Sequence, residues 1–130
     1  MPASPTWYEL RALIAERKFE DASALIGREP SLRFAVNGLG ETVLHYLAVE
    51  NDQEGVAWLF SQGFDINTQN EFGTPVVFEV AQLDYRDLLR WFISNGADLK
   101  CKDREGKNIK EYVLMYEHED IAKHLESLGI

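Results

Sequence analysis

The sequence predicts an all-α solenoid of about four helix-turn-helix units joined by hairpin-like loops. Three observations carry this expectation. Gly40, Gly73 and Gly106 stand 33 residues apart, and Gly63, Gly96 and Gly129 repeat the same interval. Trp58 and Trp91, Ala48 and Ala81, and Leu59, Phe92 and Leu125 recur with that period as well. Within each period, short apolar stripes at helical spacing alternate with capping and turn residues. A unit of this size cannot bury both faces of its helices alone, so the units must stack and share a continuous core.

The elements follow in chain order. Ser4-Pro5 suits an N-cap and first helical position, which starts the first helix just before Trp7. In the second unit Thr42 is placed to N-cap a helix over Val43–Glu50. Asp52 is placed to cap the next helix, where Val56, Leu59 and Phe60 form an apolar stripe that Gly63 ends in a left-handed conformation. The third unit repeats the plan with Thr74-Pro75 at its start, Asp84 as second cap, Leu89, Phe92 and Ile93 as stripe and Gly96 as stop. Thr74-Pro75 lies one residue early relative to Thr42-Val43, which predicts a shifted helix entry. The fourth unit uses Asn108 as cap, then Ile121, Leu125 and Leu128, then Gly129. Helices this short are marginal alone.

Composition narrows the function classes. A chain of 130 residues, 45% hydrophobic and 27% charged, is the size and make-up of one globular domain. Thirteen basic residues against 22 acidic ones give a net charge of −9, which argues against a nucleic-acid backbone or an anionic membrane as partner. A single cysteine excludes an internal disulfide. The longest stretch without charge, Gly55–Phe64, is far too short to span a membrane, and the first residues show no signal-peptide pattern. The expectation is a cytoplasmic protein that is a monomer when free.

With its 33-residue spacing, Gly40-Glu41-Thr42-Val43-Leu44-His45 followed by Gly63-Phe64-Asp65-Ile66-Asn67 resembles the ankyrin repeat family, whose units read G-x-T-P-L-H and later G-A-D-V-N. The resemblance covers about Trp7–Ile130 and implies four repeats: 7–39 as N-terminal cap, 40–72, 73–105, and 106–130 as C-terminal cap. The first keeps only the helix pair, with Ala12, Ala15, Ala24 and Ile26 at the positions of His45, Ala48, Ala57 and Leu59. Phe78 replaces the family histidine in the third, which removes the Thr–His hydrogen bond usual in such repeats.

Catalytic and metal chemistry find little support. His45 falls where the family places a structural histidine bonded to the threonine three residues earlier. His118 and His124 are six apart and do not share a helical face, so they make no zinc helix. Cys101 lies between Lys100 and Lys102, a setting that lowers a thiol pKa, yet the sequence places no suitable histidine beside it. The expectation is a protein that is not an enzyme and carries no metal or cofactor.

The resemblance implies that a partner protein binds the concave face, built from loop tips and the outer side of each first helix. Carried over unit by unit, the positions expected to touch it are Leu39, Glu41, Val49, Glu50, Glu71, Phe72, Leu83, Arg104, Met115 and Tyr116. Several are apolar where solvated residues are expected, the mark of an interaction strip. Leu39 and Phe72 hold the same place in successive loops and predict one ridge. Gly40–Phe72 has no Lys or Arg and six acids, Glu41, Glu50, Asp52, Glu54, Asp65 and Glu71, which favours a partner with a basic patch. The leading expectation is a non-catalytic binding module, with inhibition of the partner as its narrower form. The alternatives are an immunity protein that neutralises a basic toxin such as a nuclease, and an adaptor or assembly subunit.

Overall fold

The computed structural model describes residues 4–130, and among them stand eight α-helices and no strand. They pair as α1 (Pro5–Ala15) with α2 (Phe19–Arg28), α3 (Val43–Val49) with α4 (Gln53–Ser61), α5 (Val76–Gln82) with α6 (Arg86–Ser94), and α7 (Ile109–Met115) with α8 (Glu119–Ser127). The first helices stack in the order α1, α3, α5, α7. Their buried side chains join those of the second helices in one core running from Trp7 to Leu125. Aromatic pairs fasten the units: Trp7 on Tyr46 at 5.6 Å and Phe78 on Tyr112 at 5.4 Å along the first helices, Phe19 on Trp58 at 5.1 Å and Phe60 on Trp91 at 5.6 Å along the second.

Local chemistry explains the helix boundaries. The Thr42 hydroxyl accepts the His45 backbone N–H, the Asp52 carboxylate accepts that of Gly55, and Asn108 forms a reciprocal capping box with Glu111. Pro5 opens α1 after Ser4, whose side chain makes no capping bond. The helix entry of the third unit is not shifted. α5 begins 33 residues after α3, with Pro75 standing where Thr42 stands and no side-chain cap. The rigid φ of proline sets the entry geometry in place of the lost hydroxyl. Phe78, at the position of His45, is fully buried.

Three other expectations are corrected. Asp84 does not cap α6. It takes a left-handed φ of 60°, as Asn51 and Glu117 do at the same point of their units, and its carboxylate accepts from Arg86. Phe60 and Leu128 leave their predicted stripes and are exposed at 36% and 42%; Phe60 turns outward to meet Trp91, and Leu128 is the C-cap of α8. The first unit runs in a register of 34, not 33. Arg17, with φ 61°, bonds to the Ile14 carbonyl as Asn51 does to Ala48, and Ala22 and Leu25 are buried as Val56 and Leu59 are. Ala12, Ala15 and Ala24 are consequently exposed. The extra residue is absorbed after the 3-10 turn at Pro30–Arg33, because Leu32 matches Ile66 in burial while Asn37 matches Asn70 in its turn.

The loop tips are built alike. The side-chain oxygens of Asn37, Asn70 and Asp103 each accept two backbone N–H groups, from the residues two and four positions on. Each tip then turns through Gly40, Gly73 or Gly106 at φ of 74–82°. Successive tips are joined: the Glu71 N–H donates to the Leu39 carbonyl at 2.9 Å, and Arg104 donates to the Glu71 carbonyl at 2.7 Å. A Cβ at Gly40 would lie 2.4 Å from the Glu71 nitrogen, whereas one at Gly96, also left-handed, meets nothing within 4 Å. Gly96→Ala is therefore expected to cost about 1–2 kcal/mol of backbone strain. Gly40→Ala adds a steric clash and is expected to cost about 2–5 kcal/mol in all. Urea unfolding of both variants measures the difference, and equal losses would show that the joined tips contribute nothing.

An ion-pair network ties the first unit to the second. Arg17 donates to both oxygens of Asp52, at 2.9 and 2.7 Å, and its Nε lies 2.7 Å from Glu54. Burial pushes the Asp52 carboxyl up, but the bonds from Arg17 and the Gly55 N–H outweigh it and its pKa is lowered. A depressed carboxyl contributes stability that is complete above its unfolded pKa, about 4, and is lost as pH falls through the lower folded value. Asp52→Asn is expected to flatten the acid limb of the melting temperature below about pH 4. Parallel acid limbs for the two proteins would refute this linkage.

Candidate functional site

The first helices and the loop tips enclose a groove of about 450 Å³ spanning the second to fourth units. Six of the ten residues expected to touch a partner line it: Val49, Phe72, Leu83, Arg104, Met115 and Tyr116. The repeat explains their convergence. Val49 and Met115 end α3 and α7, Leu83 and Tyr116 are the C-caps of α5 and α7, and Phe72 and Arg104 stand on successive tips. Four of the apolar members are open to solvent, Phe72 at 60%, Met115 at 49%, Tyr116 at 46% and Leu83 at 38%, while Val49 is half-buried.

The other four are distributed differently. Leu39 is 53% exposed on the tip before Phe72, joined to it through the bond from Glu71, but lies outside the groove lining. Glu50 and Glu71 are exposed and also outside the lining. Glu41 is buried at 7% and does not face a partner. Its Oε1 accepts from Asn37 at 3.0 Å and its carbonyl accepts from the Trp7 indole at 3.2 Å. The acidic character of the second unit is reduced further by Arg17, which engages Asp52 and Glu54.

Sequence reasoning passed over Glu79 and Tyr112 as groove residues. Both hold the place of Tyr46 in their units, 33 residues apart, and both line the groove. The signal was an acid set inside an otherwise apolar helix, Val76-Val77-Phe78-Glu79-Val80-Ala81. Burial first, then Tyr116, then the charges of Glu79 and Asp103 push the Tyr112 hydroxyl far above the usual tyrosine range, so it stays neutral.

His45 connects the groove to the core. The Thr42 hydroxyl bonds its backbone N–H at 3.2 Å rather than its ring. The ring, fully buried, reaches across to the next unit, with Nε2 at 3.1 Å from Glu79 Oε1 and 3.9 Å from Glu41 Oε2. These three residues place their ligand-type atoms within 4.8 Å of one another. The set fits a metal poorly. Asn37 and Asn70 already donate to the two carboxylates, and a metal on Nε2 would leave a proton on Nδ1, which is buried without a partner. The cluster acts instead as a hydrogen-bonded strap between α3 and α5.

Cys101 is corrected in the opposite sense to its sequence neighbours. Burial and the charge of Asp98 push the thiol up, and Sγ lies 3.2 Å from the Asp98 carbonyl. His118 precedes α8 as its N-cap and His124 sits in its last turn. No helix among the described residues is long and apolar enough to cross a membrane. No curated relative matches the chain. Residues 44–86 match the family described as ankyrin repeats (many copies), a segment that runs from the second residue of α3 to the first of α6.

Proposed function

We propose, for a chain built of ankyrin repeats, that it is a non-catalytic module binding a partner protein through the groove across its second to fourth units. Such repeats are generally protein–protein interaction modules. One observation carries the placement: side chains from three units converge on one groove whose rim keeps Phe72, Leu83, Met115 and Tyr116 in water. Exposed aromatic and aliphatic anchors around a concavity supply most of the binding energy of protein interfaces. The partner-facing set is Val49, Phe72, Leu83, Arg104, Met115 and Tyr116, extended along the tips by Leu39 and Glu71 and along the helix ends by Glu50. A partner with a basic patch fits the net charge of −9, with an association rate that falls as salt rises. Occlusion of a partner's basic site would make the module an inhibitor, and an immunity protein if that partner is a toxin.

The test is a pull-down from native lysate with wild type and Phe72→Glu/Leu83→Glu as baits, read by mass spectrometry. A partner held only by wild type is expected. Its own activity, blocked or intact in the complex, separates inhibitor from adaptor. Identical partners on both baits would place the site on another surface.

A further inference from the structure

Resting on that reading of the groove, we infer that Glu79 is the receptor for one cationic side chain, arginine or lysine, which the partner presents from an otherwise apolar segment. The carboxylate is pre-organised. Its Oε1 accepts from Asn70 Nδ2 at 2.9 Å and lies 3.1 Å from His45 Nε2, while its side chain is only 18% exposed. Among the described residues every hydrogen bond to this carboxylate lands on Oε1, so Oε2 is left to the groove that Glu79 lines.

The charge around it is unbalanced. A second carboxylate, Glu41, sits 3.9 Å from the same imidazole nitrogen and is itself buried. Two carboxylates about one imidazole, mostly out of water, form a site that a positive charge stabilises. No lysine or arginine among the described residues pairs with Glu79. The one cation in the lining, Arg104, is committed to the Glu71 carbonyl, and Lys107 pairs with Glu105. The surroundings choose a side chain over a free ion: Phe72, Leu83 and Tyr116 offer contact for the apolar stem and flanking residues of a lysine or arginine. One unit earlier a cation already occupies the corresponding position: the Arg11 guanidinium lies 5.1 Å over the ring of Tyr46, which holds the place of Glu79 in its unit.

The experiment selects a random peptide library displayed on phage against the full chain. Synthetic copies of the selected peptides are then titrated against wild type, Glu79→Gln and Phe72→Glu/Leu83→Glu. Peptides lost by the groove double variant are expected to share one Arg or Lys between apolar residues, and the residue recovered identifies which cation the site takes. Replacing it in the peptide by neutral citrulline or norleucine is expected to weaken binding to wild type at least tenfold and binding to Glu79→Gln less than twofold. Groove-binding peptides with no shared basic residue, or an equal loss on both proteins, would overturn the inference and leave the groove reading intact. Peptides indifferent to Phe72→Glu/Leu83→Glu would overturn the groove reading and the inference with it. Should Glu79→Gln fail to fold, the neutral peptide decides alone, and a loss below twofold on wild type overturns the inference.

Discussion

A chain ending at Glu105 is expected to lose its cooperative unfolding transition and to aggregate. The deleted segment carries α7 and α8, which bury Ile109, Tyr112, Val113, Ile121, Ala122 and Leu125 against the rest of the stack. Its removal bares the face of α5 on which α7 sits, including Phe78, now fully buried against Tyr112. Exposing roughly three large apolar side chains at about 1.5–3 kcal/mol each costs about 5–9 kcal/mol. That is comparable with the whole stability of a domain this size, about 5–15 kcal/mol. The exposed face is also apolar, which favours self-association. Urea titration followed by circular dichroism, with light scattering, measures both effects. A soluble truncation that unfolds in one sharp transition would show that the third unit needs no cap.

Phe72→Glu with Leu83→Glu is expected to lower partner affinity at least about 100-fold while moving stability by less than about 1 kcal/mol. Binding falls because two apolar anchors become charges that must lose water in the interface, and hot-spot side chains are worth about 2–4 kcal/mol each. Stability barely moves because Phe72 is 60% exposed on a loop tip and Leu83 38% exposed at a helix end. The main cost is the acid at the C-terminus of α5, about 0.3–1 kcal/mol against the helix dipole. Paired measurement of affinity and thermal unfolding tests both halves. A stability loss of several kcal/mol would show that these side chains are core and that the groove rim is misassigned.

The helix plan was legible because its signals are local. A threonine or asparagine at a cap, glycine in a left-handed turn and apolar stripes at helical spacing act over a few residues, and the 33-residue period let each unit check the next. Where one local residue had to be weighed against another, position in the turn decided. Asp84 carries a good capping carboxylate but sits one residue too early, in the left-handed position of the turn. The first unit was read one residue out of step because no glycine ends its second helix; Glu29 stands there in place of Gly63, and only the left-handed Arg17 and the burial of Ala22 and Leu25 reveal the shift.

The lining of the groove was legible in part for the same reason. Repeat position specifies which side chains share a face, so Val49, Phe72, Leu83, Arg104, Met115 and Tyr116 come together as the period requires. Period alone does not say whether a residue on that face is open to water. Glu41 shares the repeat position of Thr74 and Lys107, yet the Asn37 amide and the His45 ring draw its carboxylate inward. The fate of Glu41 and Glu79 depends on partners from neighbouring turns and units, at distances no linear spacing encodes. The sequence by itself determined the helices, the caps at Thr42, Asp52 and Asn108 and the period of the second to fourth units, all set by contacts within one unit. Only the tertiary structure decided which acids are spent inside, that Arg17 pairs with Asp52 and Glu54 of the second unit, and that Glu79 lines the groove. Those outcomes follow from stacking, which brings residues about 34 positions apart into hydrogen-bond distance.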